Sequence, residues 1–130
     1  MNLKLPEWAI EENKKLKESY TPEERVHLVN RFARMNTEHR TGGPFGAGIF
    51  EKESGKPLVV GVNRVVPTMM SSAHAEVTCI SVAQQMLGTF DLGASTLPDY
   101  QVLLTYIHPP VFFSMDHCIH KCTPTSNFKP

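Results

Sequence analysis

The sequence predicts an α/β domain, a sheet layered with helices, on three observations. Segments of helical periodicity are interleaved with short apolar or β-branched runs, in the order helix, strand, strand, helix, strand, helix. A chain of 130 residues has the length of one domain, and 41% apolar residues give it a core beside a surface carrying 20% charged residues. Basic and acidic residues number 13 each, so the formal net charge is zero. That balance argues against wholesale disorder and removes the long-range attraction that brings a basic protein to nucleic acid. Nucleic acid is not the expected partner; a small neutral molecule is.

Cys79, Cys118 and Cys122 make an odd number of cysteines, and Met1 to Glu12 alternates apolar with charged residues instead of forming a signal-peptide core. No run approaches the roughly 20 apolar residues that cross a bilayer. The expected setting is the cytoplasm, with no membrane partner and with thiols serving as core residues, metal ligands or nucleophiles.

Residues 1–20 are charge-rich with a thin apolar stripe (Trp8, Ile10, Leu16), which reads as a short, loosely attached helix or arm. Thr21-Pro22-Glu23-Glu24 has the form of a helix start: a capping Thr, Pro at the first helical position and Glu three residues after the cap. Leu28, Phe32 and Met35, with Val29 and Ala33 beside them, carry that helix to about His39, and Thr41-Gly42-Gly43-Pro44 stops it. Phe45–Phe50 and Leu58–Val62 flank the polar turn Glu51–Lys56 and read as a hairpin. Asn63–Ser72 is a loop. A second helix is expected from about His74, capped by Ser71 or Ser72, to Gly88; its apolar residues surround most of the circumference, so burial on two sides is expected. Tyr100–Tyr106 has the nearly uniform apolar pattern of a central strand. Val111, Met115, Cys118 and Cys122 follow at helical spacing, which predicts a third helix opening at Pro109-Pro110. Thr123–Pro130 reads as a tail, leaving residues 21–122 as the domain proper.

The chemistry-bearing motif is His74-Ala75-Glu76. Alone it is a common tripeptide, and a Glu in a first turn also complements the helix dipole. Its neighbours add weight. Gly43-Pro44-Phe45-Gly46-Ala47 opens the first strand, Gly61-Val62-Asn63-Arg64 closes the second, Ala73-His74-Ala75-Glu76 opens the helix, Thr89-Phe90-Asp91-Leu92 follows it, and Leu103-Leu104-Thr105 lies on the third strand. In this order and spacing the chain resembles the zinc-dependent cytidine/deoxycytidylate deaminase superfamily, in its guanine deaminase and tRNA adenosine deaminase branch, over residues 22–112.

The resemblance implies a three-layer α/β/α fold around a mixed sheet whose first two strands form an antiparallel hairpin. It implies hydrolytic removal of an exocyclic amine from a nucleobase or nucleoside, most simply a guanine-type base, and a homodimer. It implies zinc as cofactor, because zinc lowers the pKa of a bound water to about 7 and so makes a nucleophile of it, while a Glu that is not a ligand moves protons. Carried over residue by residue, His74 is the histidine ligand, Glu76 the proton shuttle, Asn63 and the Ala75 N–H hold the base edge, and Phe45 lines the pocket.

The sequence departs from the family after the third strand. The expected Pro-Cys-x-x-Cys falls on Pro109-Pro110-Val111-Phe112-Phe113, with Pro110 and Phe113 at the two cysteine positions and His108 before them. Neither Pro nor Phe binds zinc, and a catalytic zinc holds three protein ligands. Cys118 and Cys122 fall on the apolar stripe of the expected helix, and His117 and His120 on its polar face. They therefore read as buried thiols and solvated imidazoles, not as a separate metal module. The family's later strands are also missing, so the expectation is a truncated or altered copy. Its third strand would lie at a sheet edge that pairs with a second chain, and at the least it would be a deaminase-fold remnant that binds or assembles without catalysis.

Overall fold

The computed structural model describes residues 3–108 and 111–118, with side chains through residue 106. Its elements are α1 (Glu7–Lys14), α2 (Pro22–Glu38), β1 (Phe45–Glu51), β2 (Pro57–Val62), α3 (Val65–Thr68), α4 (Ala75–Leu87), β3 (Tyr100–His108) and β4 (Val111–Cys118). The strands lie in the order β2-β1-β3-β4.

Glycines in the strands set the layers. A Cβ on Gly46 would stand 2.7 Å from the Val29 carbonyl oxygen, so α2 rests on that face of β1. A Cβ on Gly61 would stand 2.9 Å from the Cys79 Cβ, so α4 rests on Gly61. Gly46 pairs with Val62 and Ala47 with Gly61, and neighbouring residues of a strand face opposite ways. The two helices therefore cover opposite faces, giving the expected three layers. Phe32, Ile49, Phe50, Val60 and Val62 are fully buried between them.

The start of α2 is as read: Thr21 accepts from the Glu24 N–H while Glu24 accepts from the Thr21 N–H, a complete capping box. Five other expectations are corrected. All described pairings are antiparallel, so these strands do not form the mixed sheet that the resemblance implies. The N-terminal helix is not loose: Ala9 is fully buried, and Asn13 both donates to the Val60 carbonyl and accepts from the Val60 N–H, closing the outer edge of β2. The 63–72 loop contains a single helical turn, α3, ending at Met69 in the left-handed region (φ 58°). The N-cap of α4 is His74, not Ser71 or Ser72, and α4 buries one face (Ala75, Thr78, Cys79, Ala83) while Met86 and Val77 remain exposed. Its C-cap is Gly88 in the left-handed conformation, as the sequence stop requires.

The fifth correction is the largest. Where a helix is expected from Pro109-Pro110, residues 111–118 form β4, antiparallel to β3 from Gln101 opposite Cys118 to His108 opposite Val111. The β-branched and aromatic start Val111-Phe112-Phe113 suits a strand, and pairing satisfies a β3 edge that would otherwise lie open. Hence β3 is central, and a second chain is not needed to cover it. Residues 119–122 of the expected helix, and the expected tail, lie outside the described residues.

Candidate active site

Three backbone contacts bring the separated motifs together. The Asn63 N–H donates to the Phe45 carbonyl (3.1 Å), which joins the end of β2 to the start of β1. The Arg64 N–H donates to the Ala73 carbonyl (2.8 Å), which sets the chain leaving β2 beside the chain entering α4. On the far side, β1 pairs with β3 so that Ala47 faces Leu104. The result is a pocket of about 170 Å³ lined by Phe45, Asn63, His74, Ala75, Glu76 and Leu104. All five site residues read from the sequence line it. Leu104 was not foreseen, although it lies on the third-strand segment Leu103-Leu104-Thr105; strand alternation past Ala47 is the signal that places it.

Each side chain is presented differently. Phe45 stacks on Tyr106 with ring centroids 4.7 Å apart, so it forms a fixed wall. Asn63 is 8% exposed, and its Oδ1 accepts from the backbone N–H groups of Val65 (3.2 Å) and Gly43 (3.4 Å). That leaves Nδ2, a donor, as the end offered to a ligand. His74 caps α4 with an extended backbone (φ −65°, ψ 160°) and no side-chain cap bond. Its Nδ1 lies 3.6 Å from Glu76 Oε1. Residues two apart in a helix diverge, but His74 stands just outside α4, which lets both side chains reach the same mouth. The first N–H groups of α4, Ala75 among them, have no partner within the helix and present the positive end of its dipole there. The pocket thus offers two kinds of donor, one carboxylate acceptor and apolar walls.

The described side chains at the pocket do not by themselves make up a zinc site. Among the described residues no three His, Cys, Asp or Glu side chains come together, and at the pocket His74 is the one imidazole. Cys79 cannot help. It is fully buried under β2, its Sγ contacts the Val59 carbonyl, and burial pushes its thiol up to about 12. The side chain of His108, the nearest substitute in the sequence, lies outside the described side chains, as do those of His117 and Cys118. No helix among the described residues is long and apolar enough to cross a membrane.

Solved structures similar to this chain include a guanine deaminase from Nitrosomonas europaea, 36% identical with a TM-score of 0.75, covering 81% of this chain and 57% of that one. A second is the protein NE0047 in complex with 2,6-diaminopurine, 38% identical with a TM-score of 0.75, covering 80% and 55%. Mutant forms of NE0047 are also solved with 8-azaguanine. A guanine deaminase from Bacillus subtilis is 33% identical with a TM-score of 0.52, covering 56% of this chain and 45% of that one. The chain thus spans little more than half the length of the first two. No family model matches the sequence, and no curated protein matches it.

Proposed function

We propose, for a chain similar in fold and sequence to guanine deaminases of the cytidine/deoxycytidylate deaminase superfamily, that the pocket at the start of α4 binds a purine base. One observation carries this reading: an aromatic wall, a side-chain amide and a carboxylate converge on one small cavity at an open helix start. Phe45 would stack along the ring. Asn63 Nδ2 and the Ala75 N–H would donate to ring nitrogen or carbonyl acceptors, and Glu76 would accept from a ring N–H or an exocyclic amine. The volume of about 170 Å³ lies below the roughly 300 Å³ at which drug-sized pockets begin, which favours a free base over a nucleoside.

Hydrolytic deamination is the activity the resemblance points to, and zinc is its cofactor. His74 alone of the matched ligand positions keeps a ligating side chain, so our reading is binding without turnover by this chain alone. The second reading, a working zinc deaminase, is favoured by the adjacency of His74 and Glu76. Titration calorimetry with 8-azaguanine, zinc analysis of the chain purified without a histidine tag, and a guanine turnover assay separate the two. Base binding without turnover or tight zinc is expected, and absence of binding refutes it. One tightly held zinc per chain, with turnover lost in Glu76→Gln, replaces our reading with the enzyme. Pro110→Cys with Phe113→Cys should raise zinc uptake if the positions match the family's.

We also retain residues 21–122 as the deaminase-type domain, with residues 1–20 packed onto it through α1 instead of forming a loose arm, 123–130 as a tail, and a cytoplasmic setting. Self-association as a homodimer now rests on the resemblance alone, and sedimentation velocity checks it.

A further inference from the structure

We propose that Asn36 is a positioning residue for this pocket, holding Asn63 through a directed hydrogen-bond chain that starts at Trp8 in α1. The inference rests on the base-binding reading and adds the N-terminal helix to the binding apparatus. Asn36 lies on the apolar stripe of α2, four residues after Phe32, and is fully buried. An amide there is costly unless both of its ends are satisfied, and both are. Its Nδ2 donates to the Asn63 carbonyl (2.8 Å) and the Gly43 carbonyl (2.9 Å), and its Oδ1 accepts from the Thr41 hydroxyl (2.8 Å).

The direction of the chain follows from the groups themselves. An indole N–H only donates, so Trp8 Nε1 gives its proton to Thr41 Oγ1 (2.8 Å). Of the two acceptors near the Thr41 hydroxyl, Asn36 Oδ1 at 2.8 Å is closer than the Asn36 carbonyl at 3.3 Å, so the hydroxyl donates to Oδ1, and the amide's two N–H bonds face the carbonyls of Gly43 and Asn63. The Gly43 N–H donates to Asn63 Oδ1 (3.4 Å), so Asn63 is held at its carbonyl by Asn36 and at its side chain by the loop residue that Asn36 also grips. The packing leaves no slack: a Cβ on Gly42 would stand 1.9 Å from the Asn63 oxygen and 2.6 Å from Asn36 Nδ2. A parallel tie runs through Arg64, whose Nη1 donates to the Thr41 carbonyl (2.7 Å) and whose Nε donates to the Lys4 carbonyl (3.2 Å). The Trp8 ring is itself fixed, stacked on His39 at 5.1 Å and tilted against Phe32 at 5.7 Å.

The test removes one hydroxyl. Thr41→Val keeps the shape and breaks the chain, Thr41→Ser restores the hydroxyl, and Trp8→Phe removes the indole donor while keeping a ring in place. For the full chain, 8-azaguanine affinity should fall about threefold to tenfold in Thr41→Val and in Trp8→Phe, the loss of roughly one net hydrogen bond, and stay within about twofold of the parent in Thr41→Ser. The side-chain amide resonances of Asn36 and Asn63 in ¹H–¹⁵N spectra should shift in the first two variants and not in the third. Equal affinities in Thr41→Val, Thr41→Ser and the parent overturn the proposal. A parent that does not bind 8-azaguanine refutes the base-binding reading; the resonances then decide alone, and unmoved Asn63 signals in Thr41→Val overturn the positioning role.

Discussion

Replacing Gly61 by Ala tests how the site is held up. The new Cβ would meet Cys79 Cβ at 2.9 Å, Cys79 Cα at 3.0 Å and Cys79 N at 3.1 Å. Two of these atoms are helix backbone, so no rotamer change relieves the contact and α4 must lift from β2. Overpacking of this kind costs about 1–3 kcal/mol, while Gly→Ala returns roughly 0.4–1 kcal/mol by restricting the unfolded chain. The extremes leave about 0 to 2.6 kcal/mol, and since the approach is as close as 2.9 Å with backbone atoms opposite, a net loss of about 1–2 kcal/mol is expected. With an unfolding entropy of about 2.1 cal/mol/K per residue, this chain should lose about 4–7 °C in Tm by scanning calorimetry. Cys79→Ala should not rescue it, because the colliding Cβ and backbone atoms remain. His74 and Glu76 ride on the start of α4, so 8-azaguanine affinity should fall with Tm. A Gly61→Ala chain melting within 1 °C of the parent would show that α4 does not bear on Gly61, and the layer assignment would be wrong.

Three other outcomes follow from residues already described. The Cys79 thiol, raised by burial from 9.0 to about 12, stays protonated in the folded chain while the unfolded one ionises. The unfolded state then binds fewer protons, so stability should fall as pH rises from about 9 toward 12. Urea titrations across that range should show a shallower slope for Cys79→Ala. The Glu24 carboxyl, held down to about 2 chiefly by its bond from Lys17 and then by Thr21, should support α2 above pH 4.5 and lose that support as pH falls toward 2. Glu24→Gln should flatten the acid limb of a Tm-versus-pH curve. Thr21→Ala removes the cap and should cost about 1 kcal/mol in urea unfolding at neutral pH.

The sequence made legible what local chemistry decides. Thr21-Pro22-Glu23-Glu24 announced a capped helix, Gly88 announced a helix end, and the polar turn between two apolar runs announced the hairpin. The site was legible for a different reason: the order and spacing of five segments resemble a deaminase family, and Phe45, Asn63, His74, Ala75 and Glu76 were carried over from that resemblance; all five stand at or beside element ends. Residues 111–118 were misread because Val111, Met115 and Cys118 fit a helical spacing, and only the need of β3 for a partner chooses the strand. The network around Asn36 was missed although its signal was present, an amide one turn after Phe32 on a buried face that is apolar from Leu28 to Ala33. The grip of α1 was missed because it depends on the Asn13 side chain finding the main chain of Val60, 47 residues away.

That last contact has a consequence for how the chain behaves in a crowded solution. A side-chain amide carries the same donor and acceptor as a peptide unit, so Asn13 occupies Val60 as one residue of an incoming strand would. The edge of β2 is stoppered at its midpoint by a plug that does not extend as a strand, because Asn13 and its immediate neighbours Glu12 and Lys14 are helical. Growth by strand addition, the route from a stray exposed edge to a fibril, meets a position already taken. On the β2 side of the sheet, this block to strand addition rests on one amide near the end of a short helix.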